Sequence, residues 1–291
     1  MNTEIKHRVS NRYNLREESL QPFMVKESRL LLEFSAREIS FALIHVKTNQ
    51  LLFLNNLSVV SSGNADLPDF EKLISEQQTL LENSKDIVFC WKTPEFTLVP
   101  QNLLDISQLP QLLRAGGCDP EPDEVCLYTS KSISDYHIAF SIPAKVKTTL
   151  ESFSEKTMFF PSVYPLLNAA LQTARINDGK IVVVNVFDEA FELVVAESRK
   201  ILFCNSFPFR SPEDFVYFLL LVTENIGLSN DKESFYFCGQ IEKNSAIFQL
   251  CQKYIRHLKW MDRPGGIEIS NTFSSLPSHF FYSFFQLHHC V

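Results

Sequence analysis

The sequence predicts an α/β protein of two similar lobes, each a mixed sheet laid down in the order β-β-β-α-β-α-β and flanked by helices. Three observations predict it. KIVVVNVFDEAFELVVAESRKILFCNSF, from Lys180 to Phe207, matches a stretch 150 places upstream without a gap, setting Phe41 on Phe191, Leu43 on Leu193, Leu52 on Leu202, Phe53 on Phe203 and Asn55 on Asn205. Both stretches break an apolar run at a short polar patch and resume as alternation, the pattern of strand, tight turn and strand. At 291 residues and 45% hydrophobic content, the chain is longer than an average domain and can bury two cores.

Taken in order, residues 1–25 mix both charge signs around MNTEIKHRVSNRYNLREESLQPF and hold no apolar h-region. They read as a flexible arm, not a signal peptide or lipid anchor. The first lobe spans 26–160. Its three-stranded meander comes from LLLEF, ISFALIHV and LLFLNNLSVV, with KTNQ as the second turn. Asp66 and Pro68 open a helix through DFEKLISEQQTLLEN, where Phe70, Leu73, Ile74, Leu80 and Leu81 recur at helical spacing. SKDIVFCW is the next strand. Residues from about 96 to 160 have no counterpart later in the chain and read as a small α+β insertion. It holds FTLVPQNLL, helices through LPQLLRAGG and AKVKTTLESF, and the strands EVCLYTS and YHIAFSIP.

The second lobe spans 161–275 and opens with a joining helix, SVYPLLNAALQTA. After its meander, Ser211 is an N-cap, Pro212 suits the first helical position, Asp214 completes a capping box and Gly227 ends the helix. KESFYFCG mirrors SKDIVFCW, with Cys238 in the place of Cys90. Asn244 is expected to cap a helix through SAIFQLCQKYIRHL, and a last strand is expected near Gly266 to Ile269. Residues 276–291, LPSHFFYSFFQLHHCV, form a C-terminal helix whose Phe280, Phe281, Phe284 and Leu287 pack back on the lobes.

Composition excludes several classes of function. A formal net charge of -7 argues against nucleic acid, whose phosphates need clustered Lys and Arg. The longest apolar run, FVYFLLLV, falls well short of the roughly 20 residues that span a bilayer. Seven cysteines without zinc-type CxxC pairs suit a reducing compartment without structural disulfides, so the expected location is cytoplasmic. The 26 phenylalanines are read chiefly as core; any patch left open around Phe207, Phe209 or Phe280–Phe285 would dock a partner.

Two copies of β-β-β-α-β, a late insertion in the first, a joining helix and a terminal helix resemble the actin-like ATPase superfamily, the duplicated ribonuclease-H-like fold. Within it the chain distantly resembles the pilus-assembly protein PilM and the division protein FtsA. FTLVP at Phe96–Pro100, the strand-to-helix unit from Ala139 to Leu150 and the ending LPSHFFYSFFQLHHC look like an uncharacterised bacterial, Bacteroides-type family with a degenerate form of that fold.

The resemblance implies ATP held in the cleft between lobes by the first turn of each meander, where an acid and glycines let the backbone approach phosphates and magnesium. In the first turn, Glu33 to Glu38, Ser35 stands where the key glycine would be. In the second, Asn185 replaces the acid and Asp188 follows Phe187 without any glycine. A Gly-Gly that contacts adenosine in the superfamily is here Gly239-Gln240. Ser35, Asn185, Asp188, Gly239 and Gln240 are thus the cofactor-binding candidates if the cleft takes a nucleotide. Carboxylates at both turns repel a triphosphate and Phe187 fills its space. The reading is therefore an eroded nucleotide site, no cofactor, no catalytic residue, and a non-catalytic interaction or scaffold module with an unidentified protein partner. The alternative is an unorthodox ATP-Mg binder or ATPase. A second alternative is a divalent-metal nuclease using Glu33, Asp86 and Asp188 or Glu189.

Other candidates have plainer readings. His288, His289 and Cys290 are adjacent and point apart, so they make no metal triplet. His279 is an interface residue. Cys118 and Cys126 sit among carboxylates that disfavour a thiolate, and Gly116-Gly117 is a helix stop.

Overall fold

The computed structural model describes residues 8–35, 37–60, 70–177, 179–187 and 189–291. The chain divides into two compact units. One holds residues up to Ser162 with Gly266–Ser275 and Val291, the other Val163–Gly265 with Leu276–Cys290.

The first unit begins with β1 (Arg8–Arg16) and α1 (Pro22–Lys26), then the meander β2 (Ser28–Phe34), β3 (Glu38–His45) and β4 (Leu51–Val60). Next come α2 (Phe70–Ser75), α3 (Gln78–Asn83), β5 (Asp86–Trp91), β6 (Phe96–Pro100), α4 (Leu109–Ala115), β7 (Glu124–Tyr128), β8 (Tyr136–Pro143), α5 (Ala144–Phe153) and β9 (Thr157–Pro161). The main sheet has the order β1-β4-β3-β2-β5-β9. β2, β3 and β5 are buried along their whole length, which is why Leu30–Leu32 and Ile87–Trp91 read as apolar runs, while β3 keeps the buried polar residues Glu38, Ser40 and His45. Phe34 stacks on Trp91 at 5.5 Å and meets Phe70 of α2 edge-on at 5.0 Å. The insertion is a separate antiparallel sheet, β6-β8-β7. Its own small core contains Val99, Leu109, Leu113 and Ala139. Gly117, at φ +87°, ends α4 as expected.

The second unit starts with α6 (Val163–Ile176), followed by β10 (Lys180–Phe187), β11 (Ala190–Glu197), β12 (Lys200–Pro208), α7 (Pro212–Asn225), β13 (Ser234–Gly239), α8 (Ala246–Cys251), β14 (His257–Trp260) and α9 (Tyr282–Gln286). Its sheet order is β12-β11-β10-β13-β14. Without β1, the first sheet runs β4-β3-β2-β5-β9, the same order with the same strand directions. Val184, Phe191, Leu193, Phe215, Phe237 and Phe248 are central to the core that joins this sheet to α7 and α8. The Ser211–Asp214 capping box forms with both its bonds, and Gly227 at φ +64° stops the helix.

Several expectations are corrected. The arm proposed for 1–25 contains β1, antiparallel to β4, and α1; residues 1–7 lie outside the described set, as do Asp66 and Pro68. β9, whose residues fall in the segment expected as the 96–160 insertion, is the edge strand of the six-stranded main sheet, parallel to β5. The helix expected through Leu258 stops at Cys251 and is capped by Ser245, not Asn244. Leu258 satisfies both periods, lying seven residues after Cys251 on a helical stripe and two before Trp260 on a strand, and the strand prevails as β14 beside β13. The segment near Gly266–Ile269 is not the last strand of the second lobe. Leu51 donates to the Glu268 carbonyl at 2.9 Å and Glu268 to that of Asn49 at 2.9 Å, which ties it to the first unit.

The gapless match is also shifted in part. Two-residue turns set the register, since Ser35 N–H bonds the Glu38 carbonyl at 2.8 Å and Phe187 pairs with Ala190. Counted from those turns, Phe41 corresponds to Leu193, not Phe191, and Glu33 to Asn185. In the third strand Asn55 does correspond to Asn205, pairing with Phe41 as Asn205 pairs with Leu193. The loop between the second and third strands is two residues shorter in the second unit, where Ile201 pairs with Ala196 while Leu51 pairs with Ile44. A slip of two keeps every side chain on its own face, so the offset of 150 preserved the apolar pattern while misplacing two strands.

Candidate functional site

The described site candidates from the sequence lie at the ends of β2 and β10 and at the turn after β13. In the first unit Glu33 pairs across to Ser40 on β3 and Cys90 on β5. Lys92, just past β5, brings its Nζ to 2.9 Å from Glu33 Oε2 and 3.3 Å from Glu38 Oε2. Asn56 Nδ2 donates to Glu38 Oε1 at 2.6 Å and to Ser40 Oγ at 2.9 Å. Glu33 is 5% and Glu38 6% exposed, so this is a buried ion network whose ammonium serves two carboxylates.

Ser35 closes its own turn. Its Oγ accepts from Glu38 N–H at 3.0 Å and from Arg37 N–H at 3.3 Å, an arrangement short hydroxyl side chains favour in turns.

In the second unit the acid has changed strand. Asn185 occupies the place of Glu33, and Glu192, fully buried, the place of Ser40. Asn185 Nδ2 donates to Glu192 Oε2 at 3.0 Å, and the Cys238 thiol donates to Asn185 Oδ1 across 3.6 Å. Burial first, then the Glu192 carboxylate, pushes the thiols of Cys238 and Cys204 well above the usual cysteine range. Neither is an activated nucleophile.

Gly239 has φ +83°, and a Cβ there would fall 2.2 Å from the Val186 carbonyl oxygen and 2.6 Å from Asn185 Oδ1. Glycine is required by the close approach of β13 to β10. Gly239 N–H donates to the His279 carbonyl at 2.9 Å, and Gln240 N–H to the Val186 carbonyl at 2.7 Å. His279 bonds the Ile241 carbonyl through Nε2 at 2.7 Å and packs its ring 4.3 Å from Trp260. Burial holds its pKa below the ordinary histidine value. The C-terminal segment, with α9 and α6, therefore caps the turn that carries Gly239.

Of the sequence candidates, Asn185, Gly239 and Gln240 come together at one strand end, and Ser35 holds the matching turn of the first unit. Asp188 lies outside the described residues. Glu33 and Asp86 do not converge. Asp86 opens β5 in a pair with Arg29 at 2.5 Å, four residues from Cys90, the neighbour of Glu33, or about 13 Å along the strand. Among the described residues no group of three His, Cys, Asp or Glu is placed to hold a metal. Lys92 and Glu192 were missed by sequence reasoning. For Glu192 the available signal was a single Glu interrupting the apolar, buried middle of β11.

A family model described as "Protein of unknown function (DUF3822)" matches residues 18–258. A Bacteroides thetaiotaomicron VPI-5482 protein with an actin-like ATPase fold and unknown function is 20% identical, with a TM-score of 0.73 over 83% of this chain and 93% of that one. A chain of the PilM-PilN type IV pilus biogenesis complex is 15% identical, with a TM-score of 0.53 over 90% and 96%. These likenesses show the actin-like ATPase fold. No curated protein matches the chain in sequence. No helix of the described residues is long and apolar enough to cross a membrane.

Proposed function

We propose, on the premise that the chain belongs to the DUF3822 family, that it is a non-catalytic interaction module in which an ancestral nucleotide site has been converted into internal bonding. The observation that carries this reading is the use of the backbone donors. Gly239 N–H and Gln240 N–H, the groups a nucleotide would need, already bond His279 and Val186. Ser35 spends its hydroxyl on its own turn. Glu33, placed where the superfamily would hold a magnesium-linked acid, is held by Lys92. ATP-Mg therefore fits these residues poorly, since binding it would break bonds inside a buried network.

The shared strand order of the two sheets supports descent from one duplicated ancestor. That a chain of the PilM-PilN complex has this fold supports a protein partner as the ligand. All seven cysteines are free, which suits the cytoplasm. A net charge of -7 supports a partner other than nucleic acid. Millimolar Mg-ATP should leave the melting temperature unchanged, whereas a saturable rise of several degrees would reject this reading in favour of a nucleotide binder.

A further inference from the structure

On the reading of the chain as an interaction module, we propose that the outer face of α7 is its docking surface, and that the partner it takes is a helix whose apolar stripe is flanked at both ends by Lys or Arg.

A helix laid over a sheet ordinarily turns polar residues outward. The first unit does so, since the exposed positions of α2 and α3 are Glu71, Lys72, Ser75, Gln78, Thr79 and Glu82. α7 does not. It packs on its own unit through Phe215, Val216, Leu219 and Val222, yet on the opposite side Tyr217 is 61% and Leu221 37% exposed, with Phe218 and Leu220 half-buried beside them. A helix apolar on both sides is built to be covered on both. The same surface runs on to the sheet edge. Tyr217 meets Phe218 edge-on at 5.4 Å, Phe218 stacks on Phe207 of β12 at 5.3 Å, and Phe207 stacks on Phe203 at 6.2 Å. All three phenylalanines are half-buried, on and beside the strand that ends the sheet.

Charge decides the occupant. At 3.6 residues per turn, Glu213, Tyr217, Leu220, Leu221 and Glu224 fall on one stripe about 100° wide, with an acid at each end and apolar residues between. The two acids stand about 16 Å apart along the axis. Both are exposed, and among the described residues neither side chain has a hydrogen bond or ion pair. α7 itself contains no Lys or Arg. A second copy is a poor match, because antiparallel packing of two α7 helices would set Glu213 of each against Glu224 of the other. A helix with apolar residues between two basic ones three turns apart covers the rings and pairs both carboxylates.

The test is calorimetric titration of the full chain with three synthetic helical peptides of equal length. One carries a leucine stripe between lysines three turns apart, the second the same stripe between glutamates, and the third the lysines with glutamine in place of leucine. The first should bind saturably, with the other two about ten-fold weaker or more. Tyr217→Gln combined with Leu221→Gln should weaken the first peptide about ten-fold or more. Glu213→Gln and Glu224→Gln should each weaken it about three-fold, while Glu76→Gln, on the first unit, should leave it unchanged. All these side chains are exposed, so the variants keep the fold. Absence of saturation, equal affinity for the glutamate-flanked peptide, or full affinity in the Tyr217→Gln, Leu221→Gln variant would each overturn the assignment. So would a dimer of the free chain that the same two substitutions dissociate, since the face would then belong to a second copy. A Mg-ATP melting shift with peptide binding intact would reject the eroded nucleotide site alone, and loss of peptide binding without such a shift would reject this surface alone.

Discussion

The two units solve the same packing problem with opposite choices at three places. At the outer edge, β4 is covered by β1, whereas β12 ends its sheet and is blunted locally: Asn205 Oδ1 takes the Ser206 N–H at 2.9 Å, and Pro208 has no N–H to offer. Over the sheet, the first unit lays a broken helix and the second a continuous one. At the ends of β2 and β10, the first unit neutralises two carboxylates with Lys92, while the second buries one carboxylate against an amide and a thiol. The same topology thus tolerates two polar cores, provided that each donor at the strand ends finds an acceptor inside the chain.

The largest expected effect separates those cores. Lys92→Met removes the ammonium shared by Glu33 and Glu38 and should cost about 3–5 kcal/mol in chemical denaturation, with much of the loss recovered when Glu33→Gln and Glu38→Gln are added. A loss below about 1 kcal/mol, the range of an exposed pair, would mean that the first unit does not depend on its ion network.

Next in size is Gly239→Ala. The new Cβ meets backbone of β10 at a positive φ, so about 3 kcal/mol should be lost. Gly227→Ala, also at positive φ but with no atom within 4 Å of the added carbon, should cost about 1 kcal/mol. Equal losses would remove the argument that close approach of β13 to β10 fixes this glycine.

Helix capping gives a smaller contrast. Ser211→Ala breaks a complete capping box on α7 and should cost about 1 kcal/mol. Gln77→Ala, at the start of α3 where no side chain caps the helix, should change stability by less than about 0.5 kcal/mol.

The smallest effect is one of pH. His279 has a pKa below its unfolded value, so the unfolded chain binds the extra proton first. Its contribution is present above the ordinary histidine pKa and is lost as pH falls through the window below it. Melting temperatures recorded from neutral to mildly acidic pH should fall, and His279→Asn should flatten part of that slope. An unchanged slope would place the pH sensitivity elsewhere.

Where local pattern and tertiary packing agree, the sequence was informative. The meanders, the Ser211 cap and the Cys90–Cys238 correspondence could be read because burial on both faces forces apolar runs and caps need particular residues. β1 was hidden because RVSNRYNLR is an edge strand, with only Tyr13 and Leu15 half-buried among its residues from Ser10 onward and the rest exposed. The α8 end was misread because Leu258 fits both periodicities. Of the candidate site, Asn185, Gly239 and Gln240 could be seen as one cluster from their positions at strand ends. Lys92 could not, since the partner that makes its burial tolerable, Glu38, lies 54 residues away. Nor could the use of Gly239 N–H by His279, a bond made only when the chain end returns.

The Gly239 and Gln240 amides bond the His279 and Val186 carbonyls within the chain, and the proposed function rests on their being unavailable to a nucleotide. Hydrogen exchange at these two amides, measured with and without saturating Mg-ATP, should show strong protection in the free protein and no change on adding nucleotide. Fast exchange in the free protein that slows when Mg-ATP is present would mean that a nucleotide takes these donors.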